Sequence, residues 1–193
     1  MLIKNDFEVA QPVERVWTFF DDIPQVAACL PGAELTDDLG NDTYAGRVAI
    51  RMGPVKLQFN GTAQITERDD AGKRLVVNAN GADEKGRGQA AMLVTATLSR
   101  AAQGTAVGVV QDLQLSGAAA QYGRGMITDV SSVLMRDFAA NLQRRIAAVD
   151  RGERPAHAAA APASGFGVAL RAMRMAVARV FRRFFLPYRP VPR

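Results

Sequence analysis

GAAAQYGRGMITDVSSVLMRDFAANLQRRIAAV, residues 117–149, is the stretch on which the fold turns. Up to Gly117 the apolar residues recur every second position; beyond it they recur every third or fourth. Ile127, Val130, Leu134, Phe138, Leu142 and Ile146 mark one face of a long helix running from about Gln121 to Val149. Gly123 and Gly125 near its start are poor helix formers, each costing about 1 kcal/mol against alanine, and permit a close approach of backbone to something else.

Working back from the helix, the chain reads as strands. Tyr44, Gly46, Val48, Ile50 and Met52 alternate with more polar neighbours, as do Val55, Leu57, Phe59, Gly61, Ala63 and Ile65, with Gly53-Pro54 as a hairpin turn. Lys73–Asn80, Gly88–Ser99 and Thr105–Leu115 are further strands. Leu2–Ala10 is the first strand, Pro12 opens a short helix carrying Val13, Val16, Trp17 and Phe20, and Ile23 to Leu30 forms a second, ended by Pro31-Gly32. The pattern predicts an α+β domain over residues 1–150. A curved antiparallel sheet of about seven strands wraps one long helix, with two short helices beside it. Where Ala, Gly and Met line the gap between sheet and helix, side chains are too small to fill it, and a hydrophobic chamber is expected.

The lining follows from alternation. Tyr44, Val48, Met52, Leu57 and Phe59 share one face, joined by Met92, Val94 and Leu113 from later strands and by Met126, Val130 and Leu134 from the helix. Ala118, Gly123 and Gly125 leave room at one end, where Tyr122 is placed to donate a hydrogen bond to a carbonyl. Val130 is expected to border empty space.

Charge divides the chain. Arg154 to Arg193 holds eight arginines and no acid, which leaves 16 of the 24 basic residues against all 19 acidic ones in residues 1–153, a balance of −3. Residues 151–166 read as a flexible linker, because Gly152 to Gly165 holds two prolines and no large apolar residue. Residues 167–193 read as a basic amphipathic tail helix. Leu170, Met173, Val177, Val180, Phe181 and Phe184 share one face, with Phe185 beside them. Arg171, Arg179, Arg182 and Arg183 lie opposite, and Arg174 sits at the border. Spanning a bilayer with five arginines costs about 2.5–3.5 kcal/mol for each at the centre, whereas at an anionic surface each contributes about 1 kcal/mol. The tail is therefore expected to lie on an anionic membrane surface rather than cross it. Nucleic acid is not expected as a partner, because no aromatic interleaves the basic face.

Catalytic chemistry is sparse. The one histidine, His157, falls in the linker, so no nucleophile has a base. Cys29 stands alone, no Cys/His cluster has metal spacing, and Asp21-Asp22, Asp37-Asp38 and Asp69-Asp70 read as turn acids. Gly86-Arg87-Gly88 and Gly123-Arg124-Gly125 are like fragments of phosphate loops but complete none. With one cysteine and no signal-peptide pattern, the protein is expected in the cytoplasm, at the inner face of the cell membrane.

Several stretches in order resemble the CoxG family of carbon monoxide dehydrogenase subunits, which is part of the START-like (SRPBCC) helix-grip superfamily. They are VAACLPGAE (26–34), GPVK (53–56) with Phe59-Asn60-Gly61, LSGAAAQYGR (115–124), and Phe138 on the helix; together they span about residues 2–148. Gly125-Met126 departs from the bulkier pair common there. The resemblance implies a non-enzymatic accessory of a molybdenum hydroxylase-type dehydrogenase. Such a protein would bind a quinone (menaquinone or ubiquinone), with no covalent cofactor, and link the enzyme to membrane electron transport. The alternative is a recruitment or assembly factor for that dehydrogenase without ligand transport.

Overall fold

The computed structural model describes residues 1–53 and 55–153. The linker and tail read from the sequence therefore lie outside the described residues, apart from Arg151 to Glu153.

Seven strands form one antiparallel sheet: β1 (Leu2–Val9), β2 (Ala33–Gly40), β3 (Thr43–Met52), β4 (Val55–Asp69), β5 (Arg74–Asp83), β6 (Gln89–Ala101) and β7 (Gly104–Leu115), in the order β1-β7-β6-β5-β4-β3-β2. Two short helices, α1 (Val13–Phe19) and α2 (Ile23–Ala27), connect β1 to β2, and α3 (Arg124–Asp150) follows β7. α1 starts directly after Pro12, whose fixed φ suits a helix entrance. Asp22 caps α2 by accepting the Gln25 N–H at 3.1 Å. The expected second helix runs on to Leu30, whereas α2 ends at Ala27 and the chain continues in tight turns, Cys29 N–H to Val26 and Leu30 N–H to Ala27.

β2 is the strand the sequence pattern passed over. It forms the sheet edge, its last five residues are exposed, and its pairing with β3 is broken by two bulges. Charges and bulges are how edges resist pairing with other chains, and they erase the alternation that reveals a strand. Asp37 and Asp38 accordingly lie within β2 rather than in a turn. The helix also starts later than expected: residues 117–121 form a 3-10 turn, Tyr122 is extended, and Gly123 takes the cap position of α3.

The sheet curls toward α3 along a line of glycines. Gly46, Gly61 and Gly81 stand opposite one another across β3, β4 and β5. A Cβ on Gly61 would come within 1.9 Å of the Asn80 carbonyl oxygen, and one on Gly46 within 2.8 Å of that of Glu34. A side chain at Gly46 or Gly61 would collide with the neighbouring strand, and one at Gly81 would be tight at 3.3 Å, so the close approach requires glycine at the first two.

Two apolar clusters hold the helix to the sheet. At its C-terminal end Leu142 and Ile146 pack with Val9, Val16, Trp17, Phe20, Leu75, Leu98 and Val107. Near its start Ile127 and Val130 pack with Ile3, Met52, Leu57 and Ala119. The flanks are tied by polar bonds: Asn141 Nδ2 donates to the Cys29 carbonyl at 2.8 Å, and Arg15 pairs with Asp150.

Candidate functional site: a lined gap between sheet and helix

Between those clusters the concave face is only half buried. The register puts Tyr44 and Val48 of β3, Ala63 of β4, Ala79 of β5 and Met92 of β6 on the same face as the fully buried Leu57, Leu75 and Leu98. All five are partly exposed, although a 27-residue helix crosses that face. Protein interiors pack as densely as organic crystals, so an inward side chain that keeps part of its surface borders space instead of a neighbour. Ala63, Ala79 and Met92 stand in register on three adjacent strands, which puts the shallowest lining in mid-sheet.

The predicted lining residues differ in burial. Tyr44, Val48 and Met92 are partly exposed on the concave face. Val94 leans on the C-terminal cluster, and Phe59, Leu113, Tyr122 and Leu134 pack half-buried against the other one. Met52, Leu57 and Val130 are buried inside that second cluster, so Val130 is core and does not border empty space. Ala118 is half-buried in the 3-10 turn. Gly123, Gly125 and Met126 are exposed at the first turn of α3, with Met126 at 45% exposure. At 100° per residue Gly125 points away from the Ile127 stripe, whereas Met126 shares the face of Val130 one turn on.

Polar groups around the gap have defined work. Partial burial, and then the Asp38 and Asp42 carboxylates, hold the Tyr44 phenol above its ordinary pKa, so it stays protonated as a donor. Asp83, 4% exposed, accepts from the Arg87 guanidinium at 2.8 Å through both oxygens and from the backbone N–H groups of Gln58, Lys85 and Arg87. Arg87 also donates to the Lys56 carbonyl, and its own carbonyl receives the Ala118 N–H at 2.7 Å. This knot ties β4, the β5–β6 turn and the 3-10 turn together. It also explains the Gly-Arg-Gly pattern at 86–88: the arginine is consumed by Asp83, and Gly88 lies so close to Ser116 that a Cβ there would sit 2.1 Å from the Ser116 carbonyl oxygen.

The hydrogen bonds from Arg87 hold the Asp83 carboxyl well below its ordinary 3.8. A depressed native pKa contributes stability that is complete above the unfolded value and is lost as pH falls below it. Acid unfolding followed by circular dichroism should therefore steepen below about pH 4. Asp83→Asn should be less stable at neutral pH and show a shallower loss in that window; parallel curves would remove Asp83 from the acid transition.

Cys29 is fully buried, its Sγ donates to the Gln25 carbonyl at 3.2 Å, and burial pushes its pKa up to about 12 against the pull of Arg145 and Arg144. Such a thiol is no nucleophile. Among the described residues no group of three or more His, Cys, Asp or Glu side chains is placed to hold a metal ion. No helix among them is long and apolar enough to cross a membrane.

Three polar side chains that the sequence reading did not single out sit on the concave side: Asn5, Gln111 and Ser131, 9%, 7% and 8% exposed. Asn5 Nδ2 donates to Ser131 Oγ at 3.2 Å, and Ser131 Oγ donates to Gln111 Oε1 at 3.1 Å. Asn5 and Gln111 occupy the inward phase of β1 and β7. Polar residues at inward positions were the available signal.

A curved antiparallel sheet gripping one long helix defines the helix-grip fold. Solved structures share that architecture. A conserved protein from Geobacillus kaustophilus superposes with a TM-score of 0.68 at 22% identity, covering 76% of this chain and 95% of its own. The Zhui aromatase/cyclase from Streptomyces sp. R1128 gives 0.57 at 13%, covering 80% and 99%. A Thermus thermophilus protein gives 0.55 at 16%, covering 77% and 99%. At these identities the likeness is one of fold. No curated protein matches the chain. The chain belongs to the CoxG family of carbon monoxide dehydrogenase subunits, whose model matches residues 6–147.

Proposed function

We propose that this protein is a non-enzymatic carrier of a lipophilic quinone, serving a molybdenum-containing carbon monoxide dehydrogenase-type enzyme at the membrane. The observation that carries the reading is the half-exposed row Tyr44, Val48, Ala63, Ala79 and Met92 beneath α3, a surface suited to a flat apolar ring and an isoprenoid chain. Membership of a family named for that dehydrogenase supports the choice of partner. The basic, aliphatic composition of residues 167–193 supports delivery to an anionic surface, where arginines and apolar side chains act together. On this reading the body takes a quinone from or returns it to the bilayer, and the tail keeps it there reversibly.

Full-length protein mixed with anionic vesicles containing menaquinone or ubiquinone, then re-isolated in high salt, is expected to carry quinone detectable by mass spectrometry of its extract. A chain ending at Glu153 is expected to fold but to lose co-sedimentation with the vesicles, and raised salt should weaken the full-length protein in the same way. Quinone-free protein after exchange, with equal sedimentation of both chains, would overturn the carrier reading and its membrane arm.

A further inference from the structure

The Asn5–Ser131–Gln111 chain of hydrogen bonds lies where an apolar chamber has least use for polarity. Each residue is nine-tenths or more buried, and each comes from a different element: β1, α3 and β7. Ser131 Oγ receives its bond from Asn5 and gives its proton to Gln111 Oε1. That fixes the orientation of the Gln111 carboxamide, because the oxygen faces Ser131 and the NH2 group faces away. Among the described residues no group accepts from that nitrogen, and yet no buried side-chain nitrogen or oxygen among them lacks a partner. The Gln111 nitrogen therefore borders accessible space. Gln111 stands opposite Val94 of β6, which stands opposite Val77 of β5, so it sits on the inner face one row from the Ala63–Ala79–Met92 floor.

We infer that Gln111 is the polar anchor of the chamber, donating through its NH2 group to a carbonyl oxygen of the bound molecule, with Ser131 and Asn5 as positioning residues. The inference rests on the quinone reading of the same chamber and adds how the ligand is held: oxygenated ring against β7, hydrocarbon chain along the Ala63–Ala79–Met92 floor. A ligand carbonyl supplies the acceptor that the amide nitrogen otherwise lacks, and a site with one fixed donor in apolar surroundings selects for a group that completes it. A hydrocarbon of equal shape leaves the donor unsatisfied and is discriminated against for that reason.

The test compares decyl-benzoquinone with decylbenzene, which share a chain and differ at the ring oxygens, by calorimetric titration of the full-length protein. The wild type is expected to prefer the quinone by about tenfold, one buried hydrogen bond's worth. Gln111→Met, of similar length, should abolish that preference, weakening the quinone and, with no donor left to desolvate, binding decylbenzene at least as well as the wild type does. Infrared spectra of the quinone bound to wild-type protein should show a carbonyl stretch lowered from its position in alkane, a readout independent of whether the variant folds. A variant that keeps the preference, or an unshifted carbonyl band, overturns the anchor while the chamber stands. Failure of both probes to bind the wild type overturns the chamber and the anchor together. A role confined to fastening α3 would change the melting temperature of Gln111→Met and leave the probe preference in place, which also overturns it.

Discussion

Placing phenylalanine at Ala79 is expected to abolish quinone binding while leaving stability within about 1 kcal/mol of wild type. Ala79 is on the inner face of β5, flanked in register by Ala63 and Met92, and all three keep part of their surface. A phenyl ring added there enters the gap instead of displacing neighbours, and phenylalanine suits a strand. In a filled core the same change would cost about 1–3 kcal/mol or more, because the surroundings would have to move. The measurement is a pair of thermal melts, with and without a soluble quinone. The wild type should gain stability on adding quinone, and the variant should melt near the ligand-free wild type in both. A strongly destabilised variant, together with no quinone shift in the wild type, would mean that sheet and helix are packed solid.

The second large effect separates the clamp from the chamber along a single helix. Leu142 is fully buried among Val9, Val16, Leu98 and Val107, whereas Leu134, two turns earlier on the same stripe, is partly exposed. Leu142→Ala should cost about 2–5 kcal/mol through lost transfer energy and a new cavity, lowering the melting temperature on the order of 5–15 °C. Leu134→Ala removes the same atoms from a half-wet site and should cost under about 1.5 kcal/mol, with its main effect on ligand affinity. Chemical denaturation of the two variants provides the comparison. Equal losses would deny the division into a packed end and an open middle.

Much of this architecture is legible in residue order. The change of period after Gly117 announces the helix, the Gly53-Pro54 pair separates β3 from β4, and strict alternation in those strands places Tyr44, Val48, Met52, Leu57 and Phe59 on one side. What alternation does not reveal is how far down the helix a contact lies. Val130 and Leu134 carry the same signal, and only the diagonal course of α3 decides that one is packed and the other half-open. β2 escapes because an edge strand is built to look unlike one. Asn5, Gln111 and Ser131 escape for a related reason: a polar residue in an inward slot reads as a break in the pattern until its partners, more than a hundred positions apart in the case of Asn5 and Ser131, are brought together.

The glycine line across β3, β4 and β5 acts as a crease. How tightly the sheet folds over depends there on backbone against backbone, with no side chain taking part. The residues proposed to meet a guest, Tyr44, Val48, Ala63, Ala79 and Met92, stand off the crease on the same inner face. Shape and taste are thus written at separate positions. On the proposed reading, a different ligand would call for exchanging the floor while the crease stays bare.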